Sequence, residues 1–361
     1  MRGRALVLLI ALAVSACSSV PVSTFDRPLA PGAGPQVRLH YLGNGGWIFQ
    51  RGSDLIATAP FVSQPRWYTF LFPGRPDKRL IDEVIPDMSA VGIVLVGHAH
   101  YDHAMDLPDI AVRKAPTAQI YGGPTVVNTL AAVPKLNGRL NTIDPAKAAH
   151  GDTRGPWLPS ERAPIRFMPL RSTHAPHFAG LKFLPTGSVR ESQKKLPCCP
   201  FWWKEGETLA FVIDFLDAKR ENVEFRIYFQ DAASRPGTGI MPVLTGRDAA
   251  RVDVAILCVA GFDQFVGNPQ HILANVQPRH VVGGHWEDFF ARSFKDRPLR
   301  PAFGTSLEAF HRRARKVTSA PIYLPEPGQQ LYFPIEPRGV TAARSLRNGH
   351  ALSESAGPHR R

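Results

Sequence analysis

The sequence of 361 residues contains few cysteines and more basic than acidic residues, and its N-terminal apolar run is too short to cross a bilayer. Its four cysteines are Cys17, Cys198, Cys199 and Cys258. They form neither a CxxC pair nor a Cys/His finger spacing, which excludes a structural zinc finger. No internal repeat is detectable.

The composition is that of a folded domain with a basic surface. Hydrophobic residues make up 44% and aromatic residues 9% of the chain, which excludes wholesale disorder. The length suits one large α/β domain or two small ones. The formal charge of +13 favours anionic partners such as phospholipid headgroups and phosphorylated or carboxylated substrates. The net charge alone does not distinguish binding of such partners from a contribution to solubility.

The N-terminus has the features of an export signal. Arg2 and Arg4 precede the apolar run at residues 5–14, and residues 14–17 resemble a bacterial lipobox ending in Cys17. This likeness implies cleavage before Cys17 and its lipidation; the alternative is ordinary secretion with an incidental cysteine. We therefore expect a lipid-anchored protein of the bacterial cell envelope, on the outer membrane and facing the periplasm, with no nucleic-acid partner. Cleavage would remove two of the positive charges.

Domain boundaries follow from composition. Residues 1–17 are the predicted signal peptide and lipobox, and residues 18–36, rich in Pro, Ser, Gly and Ala, are predicted to be a flexible tether. Residues 37–336 carry the alternating strand patterns and glycine turns of one domain. Residues 337–361 are basic and low in apolar residues, which predicts a disordered tail. The sequence does not indicate an oligomeric state.

The chain is organised around a buried strand with metal-binding residue types at its end. Residues 91–96 are apolar and largely β-branched, and the run stops at Gly97. His98, His100, Asp102 and His103 follow within six residues. In an extended turn His98 and His100 point the same way and can share one ion, with Asp102 and His103 turned towards a second. A chance cluster or a polar surface turn is the alternative.

This pattern resembles the HxHxDH motif of the metallo-β-lactamase superfamily. The resemblance implies an α/β fold, a four-layer αββα sandwich, with two divalent metal ions at the sheet edges; zinc is expected, with manganese and iron as alternatives. In the superfamily further ligands arrive at later strand ends. His174, Asp231 and His285 occupy such positions here, Asp231 as the bridging carboxylate and His285 as the last ligand of the second ion. His177 competes with His174 for the third position of the first ion.

The resemblance also implies roles in a reaction. Asp102 and His177 are the candidate catalytic residues, His177 either as an acid for the leaving group or as a substrate contact. Trp67 and Tyr68 lie in an aromatic loop that could form a substrate wall or a membrane-facing lip. Where the superfamily often has Asp-Pro, this chain has Ala59-Pro60, so one carboxylate near the ligands is missing.

Three short segments, residues 203–206, 228–231 and 284–286, look most like the branch that holds N-acyl-phosphatidylethanolamine-hydrolysing phospholipase D and ascorbate-6-phosphate lactonase-like proteins. The resemblance implies a binuclear hydrolase that uses a metal-bridging hydroxide on a lipid-like phosphodiester or a lactone. A non-catalytic lipoprotein that keeps the fold to bind metal or a partner is the alternative. If Cys17 is lipidated, the three remaining cysteines leave at least one free thiol.

Overall fold

The computed structural model describes residues 24–66, 72–177, 179–182, 184–296 and 298–337. Cys17 and the signal peptide, Trp67 and Tyr68, and the tail after residue 337 lie outside the described residues. The lipid anchor, the aromatic wall and the disordered tail therefore stay predictions. In the described part of the chain, no helix has the length and apolar character needed to cross a membrane.

Two seven-stranded sheets form the body of the molecule. The first has the order β14-β1-β2-β3-β4-β5-β6, and the second has the order β13-β12-β11-β10-β9-β8-β7. The first sheet consists of β1 (Gln36–Gly43), β2 (Gly46–Arg51), β3 (Asp54–Thr58), β4 (Val91–Val96), β5 (Gln119–Gly122), β6 (Leu140–Thr142) and β14 (Gln330–Pro334). The second consists of β7 (Leu158–Pro159), β8 (Ile165–Arg171), β9 (Leu209–Leu216), β10 (Val223–Gln230), β11 (Val254–Cys258), β12 (His280–Gly284) and β13 (Ile322–Tyr323).

Helices cover the outer faces of both sheets. The α-helices of the described residues are α1 (Lys78–Val84), α2 (Tyr101–Ala104), α3 (Leu107–Arg113), α4 (Pro124–Leu130), α5 (Gln270–Val276) and α6 (Leu307–Arg315), of which the short α2 packs apart from the sheets. On β4, Ile93 and Leu95 face the core shared with the second sheet, whereas Val94 and Val96 pack with α1, α3 and α4. This alternation follows from the two-residue period of a strand. The second sheet packs against α5 and α6, so the predicted αββα sandwich is confirmed.

The topology brings the carboxyl end of β4, in the first sheet, close to those of β8, β10 and β12, in the second. The strands β3, β4, β5 and β6 are parallel, as are β10, β11, β12 and β13. Because β9 is antiparallel to both β8 and β10, those two strands run in the same direction. The carboxyl ends of β8, β10 and β12 therefore lie at the same edge of the second sheet. Each of these strands is followed by a residue that we predict to be a metal ligand: His174, Asp231 and His285.

The structure corrects the predicted start of the domain. Residues 18–36 were expected to be a tether, yet Phe25 is buried, and Asp26 bonds through its backbone and its carboxylate to Ile322 at the start of β13. The domain thus begins near Phe25 rather than at residue 37, because a single buried aromatic gives no periodic signal. The N-cap of α6 is Ser306, whose hydroxyl accepts from the amide of Ala309.

Candidate metal centre

The motif after β4 leaves the sheet and turns at once into a short helix. All six residues of β4 are buried, so the end of this strand is held rigidly. His98 lies in the connection, His100 is the N-cap of α2, and Asp102 and His103 lie within that helix. The single helical turn reverses the chain and directs the four side chains to one region, where all four are buried.

One group of three imidazoles forms at the ends of β4 and β8. The ring centroids of His98 and His174 are 4.7 Å apart, those of His100 and His174 are 4.9 Å apart, and those of His98 and His100 are 4.9 Å apart. One nitrogen from each ring lies within 4.8 Å of the other two. The Nδ1 atom of His174 lies 2.6 Å from the carbonyl oxygen of Ala175. This contact orients the ring and leaves Nε2 for an ion.

A second group of three forms beside it, at the end of β12. The Nε2 atom of His285 lies 3.0 Å and that of His103 3.4 Å from Oδ2 of Asp102. Their ligand atoms also lie within 4.8 Å of one another. The arrangement offers one carboxylate and two imidazoles, a donor set suited to a divalent ion such as zinc.

Asp231, at the end of β10, lies between the two groups. Its Oδ1 is 3.4 Å from Nδ1 of His98, and its Oδ2 is 3.4 Å from Nδ1 of His103. The amide of Gly97 donates to Oδ2 at 3.1 Å. The structure therefore brings together all seven predicted ligands, with the aspartate in the position from which a carboxylate can reach two ions.

Two glycines give this arrangement the space it needs. A Cβ atom on Gly97 would lie 2.3 Å from Oδ1 of Asp231, and one on Gly45 would lie 2.6 Å from Nδ1 of His103. Such distances are far below any van der Waals contact, so a side chain at either position would displace a ligand. The Asn44-Gly45 turn that joins the antiparallel strands β1 and β2 therefore also forms a wall of the site.

The buried carboxylate of Glu287 supports the backbone of His285 through Tyr41. The hydroxyl of Tyr41 donates to Glu287 at 2.6 Å, and the amide of Asn44 donates to the other carboxylate oxygen at 2.6 Å. The amide of His285 in turn donates to the hydroxyl of Tyr41 at 2.8 Å. His285 has a φ of 50°, a left-handed conformation that is unfavourable for a residue with a side chain. These bonds hold the strained backbone in place.

Sequence reasoning missed this supporting layer. Neither Glu287 nor Tyr41 lies in a motif that the sequence predicts to bind metal. The absence of an aspartate at Ala59 predicted a missing carboxylate, whereas Glu287 places one beside the second group. No local signal identifies it, because Tyr41 and Glu287 are 246 positions apart.

His177 lies next to the first group without belonging to it. Its ring centroid is 5.2 Å from that of His174 and 5.7 Å from that of His100. It is not among the residues whose ligand atoms converge, so the geometry favours His174 as the third ligand. A cleft of about 350 Å³ opens beside His174, and Lys182, Arg235 and Phe265 contribute to its walls.

Burial sets the protonation of the imidazoles in and beside the first group. It lowers the pKa of His174 and of His177 to about 4, and it lowers the pKa of His98 and His100 well below the usual value, with neighbouring imidazoles adding to the effect. These rings are neutral at pH 7, the form that coordinates a metal. Burial opposes ionisation of Asp102, but the adjacent His103 outweighs it and holds the pKa of Asp102 well below its usual range.

The buried nitrogens test whether this cluster suits metal ions. Ring nitrogens of four histidines and Oδ1 of Asp102 are buried without a hydrogen-bond partner: His98 Nε2, both nitrogens of His100 and of His103, and His285 Nδ1. Each orphaned polar atom costs on the order of 1–3 kcal/mol. Seven such atoms on five neighbouring side chains would be strongly unfavourable without a ligand. Coordination of cations satisfies these atoms, so the residues fit two divalent ions.

Comparisons with known proteins find similar solved structures but no matching family model. No protein-family model matches it, and no curated protein is similar enough to count as a match. Among solved structures it is similar to a metallo hydrolase from Ignicoccus hospitalis, with 15% identity, a TM-score of 0.49, and 83% of this chain and 100% of that chain covered. A metallo-β-lactamase-fold protein from Bacillus subtilis gives 13% identity, a TM-score of 0.47, and coverage of 82% and 99%.

A further similar structure is described as a possible metal-dependent hydrolase from Veillonella parvula, with 15% identity, a TM-score of 0.46, and coverage of 83% and 99%. The TM-scores are below 0.5, and the evidence for the fold is the chain's own two sheets and the ends of their strands. The chain has the αββα sandwich of the metallo-β-lactamase fold, with a buried His/Asp cluster suited to divalent metal ions where the strands of its two sheets end.

Proposed function

We propose that this protein is a binuclear metal-dependent hydrolase of a phosphodiester or a lactone. The observation that carries the proposal is the convergence of seven ligand side chains, six of them buried and His174 half-buried, in two adjacent groups that share Asp231. His98, His100 and His174 would hold one ion, and Asp102, His103 and His285 the other. Divalent ions bound there supply a water-derived nucleophile near neutral pH and polarise the substrate oxygen.

The protein's own residues keep the ligands ready for this chemistry. The Tyr41–Glu287 pair fixes the backbone of His285, and the Gly97 amide fixes the carboxylate of Asp231. Orientation before the substrate arrives lowers the reorganisation that the reaction requires. With its pKa near 4, His177 is a neutral imidazole at pH 7. It is therefore suited to donate a hydrogen bond to the substrate rather than to act as a strong acid.

Charge at the cleft supports an anionic ester as the substrate. Arg235 lines the cleft beside His174 and is exposed, whereas the ammonium of Lys182 is paired with Glu205 at 2.6 Å. With the excess of basic residues over the whole chain, this favours a phosphodiester over an uncharged lactone. Phe265 and Pro176 give the same cleft an apolar side, which suits a substrate that also carries a hydrocarbon part.

The test is hydrolysis of a panel of phosphodiesters, lactones and thioesters by the metal-loaded protein. His100→Ala and Asp231→Ala should each abolish turnover while the protein stays folded by circular dichroism. His280→Ala is the matched control, because His280 lies at the opposite end of β12 and contacts Tyr323 rather than the ligands. Unchanged turnover in the first two variants would refute the proposal.

A non-catalytic metal-binding protein is the second candidate. The buried ligand set fits tight metal binding by itself, so the two functions differ only in turnover. Two ions held tightly, with no hydrolysis of any ester in the panel, would favour the non-catalytic role. Turnover that is lost with the ions would exclude it.

We also propose that the protein is anchored to the bacterial envelope through acylated Cys17, so that it acts next to a membrane. This rests on the lipobox-like residues 14–17 and the basic charge. Metabolic labelling with a fatty-acid analogue should mark the wild-type chain and not Cys17→Ser. Equal labelling of both would contradict the anchor.

A further inference from the structure

Two adjacent cysteines bring their sulfur atoms together at the surface. Cys198 is exposed and Cys199 is buried, and their Sγ atoms are 3.6 Å apart. Cys199 has an extended backbone, with a φ of −145° and a ψ of 158°. Neighbouring side chains on extended backbone normally point in opposite directions. The convergence of these two thiols therefore needs the local bend before Pro200.

The peptide group between the two cysteines is itself a structural contact. The amide of Gly74 donates to the carbonyl oxygen of Cys198 at 2.9 Å. Gly74 also packs closely on Pro200, the residue that follows the pair, since a Cβ atom on Gly74 would lie 3.1 Å from Cδ of Pro200. The cysteine pair thus holds the end of the loop that follows residue 71.

The same segment leads to the metal centre. A short 3₁₀ turn, Pro200–Trp202, follows the pair, and Trp203 is buried against Phe61 and Tyr101. Two residues further, the carbonyl oxygen of Glu205 accepts from the amide of Ala99, between the first two histidines of the motif, at 2.9 Å. A change in the backbone conformation of residues 198–199 therefore occurs only a few residues before Glu205, which supports that motif.

We propose that Cys198 and Cys199 form a redox-active dithiol, which a small-molecule disulfide oxidises to a disulfide between the two neighbours. The exposed Cys198 thiolate attacks one sulfur of the oxidant, forming a mixed disulfide and releasing one thiolate. The Cys199 thiolate then attacks Sγ of Cys198 and expels the second thiolate. The protein loses two electrons and two protons, and the oxidant becomes two thiol molecules.

The geometry makes this bond easily reversible. Consecutive Cα atoms are about 3.8 Å apart, less than the roughly 4.4–6.8 Å that an unstrained disulfide spans. Strained and exposed disulfides have higher reduction potentials and are the labile ones. Closing the ring also turns the peptide between the cysteines, which breaks the bond from the Gly74 amide. Oxidation therefore releases the loop from the segment that supports the motif.

The test uses the full chain carrying Cys17→Ser, reduced and then titrated with glutathione disulfide. Intact mass and peptide mapping should show loss of two hydrogens within the peptide that contains both cysteines, with no stable glutathione adduct. Cys199→Ser should instead keep glutathione on Cys198, because no second thiol can displace it. The buried Cys258 is the internal reference and should stay a thiol throughout.

Three results would overturn the proposal: a stable adduct on Cys198 in the chain with both cysteines, no oxidation under conditions that modify a free surface thiol, or pairing through Cys258. Hydrogen exchange gives a second measurement. The Gly74 amide should exchange faster in the oxidised protein than in the reduced one, and equal rates would contradict the loss of its bond. Neither measurement depends on hydrolase activity.

Discussion

Replacing Gly97 with alanine tests the geometry of the centre with a single methyl group. The new Cβ would lie 2.3 Å from Oδ1, 2.4 Å from Oδ2 and 2.5 Å from Cγ of Asp231, whereas ordinary contact begins near 3.4 Å. The carboxylate must therefore move by about 1 Å, and a misplacement of about 1 Å at a reacting centre costs up to roughly 100-fold in rate. The steric strain itself costs on the order of 1–3 kcal/mol of stability.

We expect Gly97→Ala to fold, to lose affinity for metal, and to lose most of its hydrolytic activity. Gly92→Ala, on the strand β4 that ends just before Gly97, is the matched control. Its nearest new contact, Ser160 Oγ at 3.2 Å, is a small side chain that can shift. Metal content after dialysis, thermal unfolding and ester hydrolysis are measured on both variants. If Gly97→Ala keeps two tightly bound ions and wild-type turnover, the placement of Asp231 is wrong.

Three further changes test other parts of the structure. Glu287→Gln should weaken metal binding about 10–100-fold in a folded protein. Both carboxylate oxygens of Glu287 accept hydrogen bonds from backbone or hydroxyl donors, and the NH₂ group of a glutamine would have to face one of these donors, from which it cannot accept a hydrogen bond. Unchanged metal titrations would contradict this. Asp214→Ala should lower the free energy of unfolding by about 3–5 kcal/mol in a denaturant titration, since it removes the ion-pair partner of the fully buried Arg226 guanidinium. A loss no larger than that of Asp217→Ala, at a half-buried position, would refute it. Burial raises the pKa of Asp106 from 3.8 to about 6. The protonated Asp106 side chain therefore contributes fully to the free energy of unfolding below pH 4, and this contribution is lost as the pH rises through 6. Asp106→Asn should therefore gain about 3 kcal/mol relative to wild type between pH 4 and pH 7, and parallel stability curves would contradict the buried acid.

Much of the centre could be predicted because its chemistry is concentrated at strand ends. His98 to His103 follow a buried strand directly, and His174, Asp231 and His285 each stand just after another strand. The convergence of the four strand ends depends on how two sheets face each other, which a strand pattern does not contain. The resemblance to a known motif supplied that part.

The supporting contacts could not be predicted for a related physical reason. Glu287 acts through Tyr41 and Asn44, which belong to the other sheet, so its role exists only after the sheets pack. Gly45 and Gly97 look like ordinary turn glycines in the sequence, and their close approach to His103 and Asp231 appears only in three dimensions. Phe25 packs on the domain by one isolated side chain, for which the sequence has no periodic signal.

Anomalous diffraction from crystals grown with zinc tests the central claim most directly. The account predicts two strong peaks, one among His98, His100 and His174 and the other among Asp102, His103 and His285, with the carboxylate of Asp231 between them. Peaks only on the surface, or a cluster without bound metal at saturating zinc, would contradict it.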